Sequence, residues 1–266
     1  MANIEDIARK AVQQGQWCDI LASYDSDLTW KASLAGLSEA TYSFAIRSLV
    51  DCLPTNTNLS LWKKVLSDRC GSCSCNRQSL LHVLSNCHVK MRLYTWRHDN
   101  ILLQLRKFVS EHLPMCDVHC DILVENHTFR EINVATVPID IYLTSLRPDL
   151  VVVDRANKYV TILELTVPFE TNFTNAQERK CRKYSGVIAG IEEAGYKCDF
   201  FSMEIGARGI PAQGTCKTLR TICKTSKKET RDFVKVLVKV ALKFCYVIVR
   251  EKNNCQAEYN TVIERV

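Results

Sequence analysis

The chain reads as an α/β protein: a helical first part, a small cysteine-rich module, and a second half in which strands alternate with helices. Three observations predict it. Apolar residues in the first 56 positions recur at mixed three- and four-residue spacing, and Cys and His cluster between residues 70 and 88. From Val118 onward, short runs rich in Val, Ile and Thr are separated by polar turns. With 266 residues, 47% of them hydrophobic and 24% charged, the chain suits one large domain or two small ones and excludes wholesale disorder and fibrous repeats.

Residues 1–60 are expected to be helical, with a break at Leu53-Pro54-Thr55. Asn58 or Ser60 can then cap a short helix over 61–68 that leads into the cysteine cluster. A longer helix is predicted over 96–113, with Ile101, Leu102, Leu105 and Phe108 on one stripe. It stops ahead of Pro114, which pushes the preceding residue out of the helical region. The runs CDILVEN, INVATVPIDIYLT, PDLVVVD and YVTILELTV read as strands. A helix over 174–194 follows, ended by Gly195, and then a strand over 198–205 closed by Gly206-Ala207-Arg208-Gly209. The last helix, over 226–251, contains the membrane-like run FVKVLVKVALKFCYVIV. Lys235, Lys239 and Lys243 recur there every four residues, which marks an amphipathic helix with a basic outer stripe. The change of texture divides the chain into 1–60, 61–115 and 116–266. No run of eighteen uncharged apolar residues occurs, and the start (MANIEDIARK) has no apolar core, so the chain is expected to be soluble and not secreted.

The formal net charge of +6 hides alternating blocks: −3 over 1–60, +7 over 61–110, −6 over 111–170 and +8 over 171–266. Two basic blocks around an acidic one suit a polyanionic partner with a cation site in the acidic part; taken alone, they read first as solvated faces. Fourteen cysteines without an export signal point to a reducing compartment. There, clustered Cys beside His argues for metal, and scattered Cys behaves as a small buried hydrophobe. Cys70, Cys73, His82 and Cys87 give the spacing C-x2-C-x8-H-x4-C, two thiolates on a tight turn and a His/Cys pair about one helical turn apart. That set can close a tetrahedron around a structural Zn²⁺, with Cys75 and His88 as alternates.

A second constellation carries the chemistry. PDLVVVD and YVTILELTV form two strands joined by the turn Arg155-Ala156-Asn157-Lys158. A hairpin symmetric about Ala156 and Asn157 sets Asp149 opposite Glu164, with Cβ atoms about 5 Å apart. Like charges so placed are destabilising unless a cation bridges them, and hard oxygen ligands suit Mg²⁺ or Mn²⁺. A three-residue loop with Asn157 left-handed would shift the pairing by one and spoil the alignment, and the plain alternative is that both acids are strand-end carboxylates in solvent. Glu164 lies mid-strand in an apolar run, where an unpaired carboxylate is costly. In the following helix, Lys180 and Tyr184 fall on the apolar stripe of Ala176, Val187 and Ile191, while Arg179, Arg182 and Lys183 are better placed for solvent or phosphate.

Taken in order, these motifs are similar to those of the restriction-like endonuclease that follows the reverse transcriptase in early-branching non-LTR retrotransposons. RPD, Glu164 in ELTVPFE and the downstream Lys-x3-Tyr resemble its active site. LPTNTNLSLWKK, the Cys/His module and YTWRHDNIL resemble its linker, zinc knuckle and RHD motif, and QGQW…SDLTW the segment after the polymerase thumb. The resemblance implies a PD-(D/E)xK-type core, a mixed sheet flanked by helices that cuts duplex DNA with a divalent metal. Asp149 and Glu164 match the metal-binding acids, Lys180 the displaced catalytic lysine and Tyr184 the aromatic of its motif. Arg97, His98 and Asp99 match the accessory RHD motif. Thr166 stands where most of the wider superfamily has its lysine, so Lys183 is the rival of Lys180. Lys183 and Arg208 complete the candidate DNA-binding or accessory residues. Duplex DNA, element RNA and a nuclear location are the implied partners and place, without a membrane. With no polymerase motif upstream, the chain reads as a fragment, remnant or captured nuclease module. A catalytically silent nucleic-acid-binding remnant and a zinc-stabilised interaction domain are the competing readings.

Overall fold

The computed structural model describes residues 20, 23–25, 30–124, 127–128 and 136–251. Most of the helical reading of the first thirty residues lies outside them. Among the described residues from Trp30 on, three short helices come first, α1 (Trp30–Ser33), α2 (Glu39–Leu49) and α3 (Asn56–Leu61). The helix expected over 61–68 therefore starts and ends earlier. Thr55 is its cap, accepting from the Asn58 amide at 3.3 Å. The Asn58 side chain donates instead to the Asp51 and Leu53 carbonyls at 2.6 and 2.9 Å, and Lys63, at φ 57°, turns the chain away.

A π turn (His82–Asn86) and a 3₁₀ turn (His88–Lys90) lead into α4 (Met91–His112). This helix begins ahead of the predicted 96 because Leu93 and Tyr94 extend the buried stripe of Ile101, Leu102, Leu105 and Phe108. It ends before Pro114 as expected. CDILVEN is split between two elements: β1 (Asp117–Cys120) and, beyond a bend, β2 (Leu123–Val124), which pairs with β3 (His127–Thr128). INVATVPIDIYLT is not a strand where it is described, from 136 on. The amides of Ile141 and Tyr142 both donate to the Pro138 carbonyl, at 3.0 and 3.1 Å, closing a turn. Val137 and Ile141 are buried all the same.

The remaining elements are β4 (Leu150–Asp154), β5 (Tyr159–Thr166), α5 (Phe173–Glu193), β6 (Lys197–Glu204), α6 (Thr215–Cys223) and α7 (Lys227–Arg250). Four strands form one mixed sheet in the order β1-β4-β5-β6: β1, β4 and β5 are antiparallel, and β6 runs parallel to β5 across the α5 crossover. Period-two alternation sorts the side chains. Val151, Val153, Val160 and Ile162 meet Tyr184, Val187 and Ile191 of α5 on one face. Leu150, Val152, Leu163 and Leu165 join α4 and α7 on the other, in a core that also takes in Phe44, Leu80 and Leu84. In α7, Ser226 caps the start, and no helix among the described residues is long and apolar enough to cross a membrane.

Arg208 corrects the sequence reading. It is 0% exposed, its Nε donates to Glu170 Oε2 at 2.7 Å, and its guanidinium lies 4.0 Å from the Phe169 ring centroid. Its side chain is thus an internal brace and is not offered at the surface. Glu170, 2% exposed, also accepts from the Arg208 amide at 2.6 Å. Removing one partner of such a buried pair strands the other's charge. Glu170→Ala is expected to cost about 3–5 kcal/mol, measured by urea unfolding against wild type.

Candidate active site and metal centre

The β4–β5 hairpin pairs Leu150 with Leu163 and runs in register to Asp154 with Tyr159, the alignment that sets Asp149 against Glu164. Its turn keeps this register because the left-handed position falls on Lys158 (φ 49°) and not on Asn157. Asp154 accepts from the Asn157 amide and side chain at 3.0 and 2.7 Å, which holds the turn. At the other end, Asp149 and Glu164 satisfy each other's strand. The Asp149 amide donates to Glu164 Oε1 at 2.8 Å, and the Leu165 amide to Asp149 Oδ2 at 2.9 Å. Asp149 is 6% exposed and Glu164 0%.

Two cations close on this pair. Lys180, projected by the inward stripe of α5, has its Nζ 3.5 Å from Asp149 Oδ2 and in direct contact with Glu164 Oε2. His98 of α4 places Nε2 at 3.4 Å from Asp149 Oδ2 and 3.3 Å from the Leu165 carbonyl, and Nδ1 at 2.9 Å from Asp99. Burial alone would favour neutral His98, but Asp149 and Asp99 outweigh it and hold the imidazole at about 9. Burial also pushes Asp149 up; His98 and Lys180 prevail and keep its carboxyl well below the usual range. Glu164 goes the other way, to about 7, through burial and the neighbouring Asp149 charge.

Tyr184, fully buried, donates to the Arg147 carbonyl at 3.0 Å; burial and the charges of Glu164 and Asp149 push its phenol up. Lys183 donates to the Tyr184 hydroxyl at 2.9 Å, so of the two lysines it is Lys180 that touches both acids. Arg97, 3% exposed, is a brace: it donates to the carbonyls of Leu84 and Val167, each at 2.9 Å. Glu204 escaped the sequence reading. It lies at the end of β6, 4% exposed and bonded to the Ser202 hydroxyl, with burial raising its carboxyl against the pull of Lys180. An acid between Met203 and Ile205 was the signal available.

The Cys/His module brings its predicted ligands together. Ligand atoms of Cys70, Cys73, His82 and Cys87 all lie within 4.8 Å of one another, with Cys73 Sγ 3.3 Å from His82 Nε2. His82 and Cys87 stand five residues apart across the π turn, whose i to i+5 repeat aligns them. The alternates point elsewhere: Cys75 Sγ meets the Arg77 carbonyl at 3.4 Å, and His88 is exposed in the 3₁₀ turn. Burial pushes the Cys70 thiol up, but the Ser72 amide, Gln78, His82 and the Cys73 amide hold it down at about 6. Burial carries Cys87 to about 11. Three thiols and an imidazole, one thiol already poised to ionise, fit a tetrahedral metal such as zinc.

Freshly purified protein is expected to carry one zinc per chain by metal analysis, and Cys73→Ser to lose it with the fold of the module. A second outcome follows from His98. Its pKa is raised from 6.5 to about 9, so the stability it adds is complete below pH 6.5 and is lost as pH climbs to 9. In buffer free of magnesium and manganese, chemical unfolding should ease by on the order of 2 kcal/mol across that window, and His98→Gln should flatten the change. Against models of known protein families and against curated proteins, the chain matches none.

Proposed function

We propose that the chain is a metal-dependent DNA endonuclease that hydrolyses a phosphodiester on duplex target DNA. The convergence of the Lys180 ammonium with Asp149 and Glu164 carries this reading. Each residue has a role on its own chemistry. Asp149 and Glu164, with the Leu165 carbonyl, make an oxygen-only donor set suited to Mg²⁺ or Mn²⁺. Bound there, such an ion would polarise the phosphate and make its own water more acidic. Lys180 can turn from the carboxylates toward a phosphate oxygen and stabilise the charge that grows on it. His98, protonated and anchored by Asp99, orients Asp149 and balances its charge. Arg179, Arg182 and Lys183 line the exposed side of α5, where a duplex backbone would be held electrostatically. A DNA substrate implies a nuclear site of action.

The order of motifs adds support through its resemblance to the retrotransposon nuclease, whose nick supplies a 3′-hydroxyl for priming. The Cys/His module then serves as a structural knuckle beside the catalytic sheet. The test uses supercoiled plasmid with Mg²⁺ or Mn²⁺. Wild type should nick it, Asp149→Ala should abolish nicking, and Lys180→Ala should slow it by roughly 10²–10³-fold. Equal nicking by all three would mean a contaminating nuclease and remove the proposal. Salt-sensitive binding without nicking by any of them would leave a silent nucleic-acid-binding module in its place.

A further inference from the structure

Beside the Lys180 cluster lies a cavity of about 430 Å³, within the range of small-molecule sites. Its wall takes Phe173 and Gln177 from α5, Ser202 and Glu204 from β6, and Thr215 and Thr218 from α6. The sheet fixes how it lies to the cluster: Ser202 neighbours Glu164 across the parallel pair, and Glu204 neighbours Thr166. Along α5, Gln177 stands three residues before Lys180, about 4.5 Å down the axis. The cavity and the cluster therefore adjoin on one face of the sheet.

The wall chooses its ligand. Among the described residues no lysine or arginine lines it, and Glu204 brings a buried carboxylate, so a phosphate is repelled. One Glu204 oxygen is engaged by the Ser202 hydroxyl, and an ionised carboxylate has further acceptor capacity for a donor on the ligand. The Gln177 amide and Thr218 hydroxyl add mixed donors and acceptors, and Phe173 an aromatic surface. A neutral, planar group with an amine meets all of these demands.

We propose that the cavity receives an unpaired nucleobase bearing an exocyclic amine (cytosine, adenine or guanine, but not thymine) from the strand whose phosphate meets Lys180, with Glu204 accepting an amine hydrogen. This rests on the reading of DNA as substrate. It gives the enzyme a base preference next to the cut and favours sites that are already unpaired or easily opened.

The test is fluorescence anisotropy of the full chain, without magnesium or manganese, on single strands of deoxycytidine or thymidine of roughly 20 nucleotides. Wild type should bind the cytosine strand about tenfold tighter than the thymine strand. Glu204→Gln, whose amide also offers a donor to the thymine carbonyl, should bring the two to within about twofold. Thr218→Trp, at a half-exposed position on the cavity wall, should lower both to a common level whether or not Glu204→Gln folds. Equal binding by wild type, no binding of either strand, or a cytosine preference unchanged in both variants would overturn the proposal. Plasmid nicking by the same preparations separates the two ideas. Nicking without base preference sinks the cavity and spares the nuclease, whereas base preference without nicking does the reverse.

Discussion

Two carboxylates held side by side away from water impose a demand that shapes this molecule. Asp149 and Glu164 face each other at the end of a hairpin, and neither can ionise there unless positive charge comes within a few ångströms. The surrounding elements supply it. Helix α5 sends Lys180 in from one face of the sheet, and α4, packed on the opposite face, sends in His98. The backbone closes the remaining valences through the Asp149 and Leu165 amides. Well-packed apolar side chains would be as stable in this place or more so, because desolvating charges costs about what their attraction returns. Stability therefore does not by itself account for such a cluster.

Local rules made parts of this site readable. A hairpin with a four-residue turn leaves few registers, and the turn, with its left-handed residue at Lys158, keeps the one that sets Asp149 against Glu164. Lys180 betrayed itself by sitting on an apolar stripe, and the zinc-type ligands by their spacing. Where partners lie far apart in sequence, the reading failed. Gly-Ala-Arg-Gly looks like an exposed basic turn, yet Arg208 is swallowed by Glu170, 38 residues away. INVATVPIDIYLT has strand composition, but Pro138 breaks it over the described stretch and the sheet takes its edge strand from β1. Glu204 gained its meaning only once β6 paired in parallel beside β5. The short helix moved because Thr55 outcompeted later caps, a contest that composition does not decide.

The Cys/His module and the acidic hairpin, read separately from sequence, are joined by two side chains of α4. Tyr94 lays its hydroxyl against the carbonyl of Val83 at 2.8 Å and the amide of Cys87 at 3.1 Å, inside the module itself. One turn further, Arg97 ties the Leu84 carbonyl to the Val167 carbonyl just past β5 and reaches Cys245 of α7 at 3.3 Å. The next residue is His98, which touches Asp149. A helix rises about 1.5 Å per residue, so within roughly 6 Å of axis a single rigid element spans the Cys/His module and the acidic pair. Loosening the Cys/His cluster frees the Tyr94 and Arg97 contacts and with them the register of α4, which is what aims His98. The arginine of the RHD motif thus works by fastening the two parts together, and its histidine by what that fastening allows it to reach.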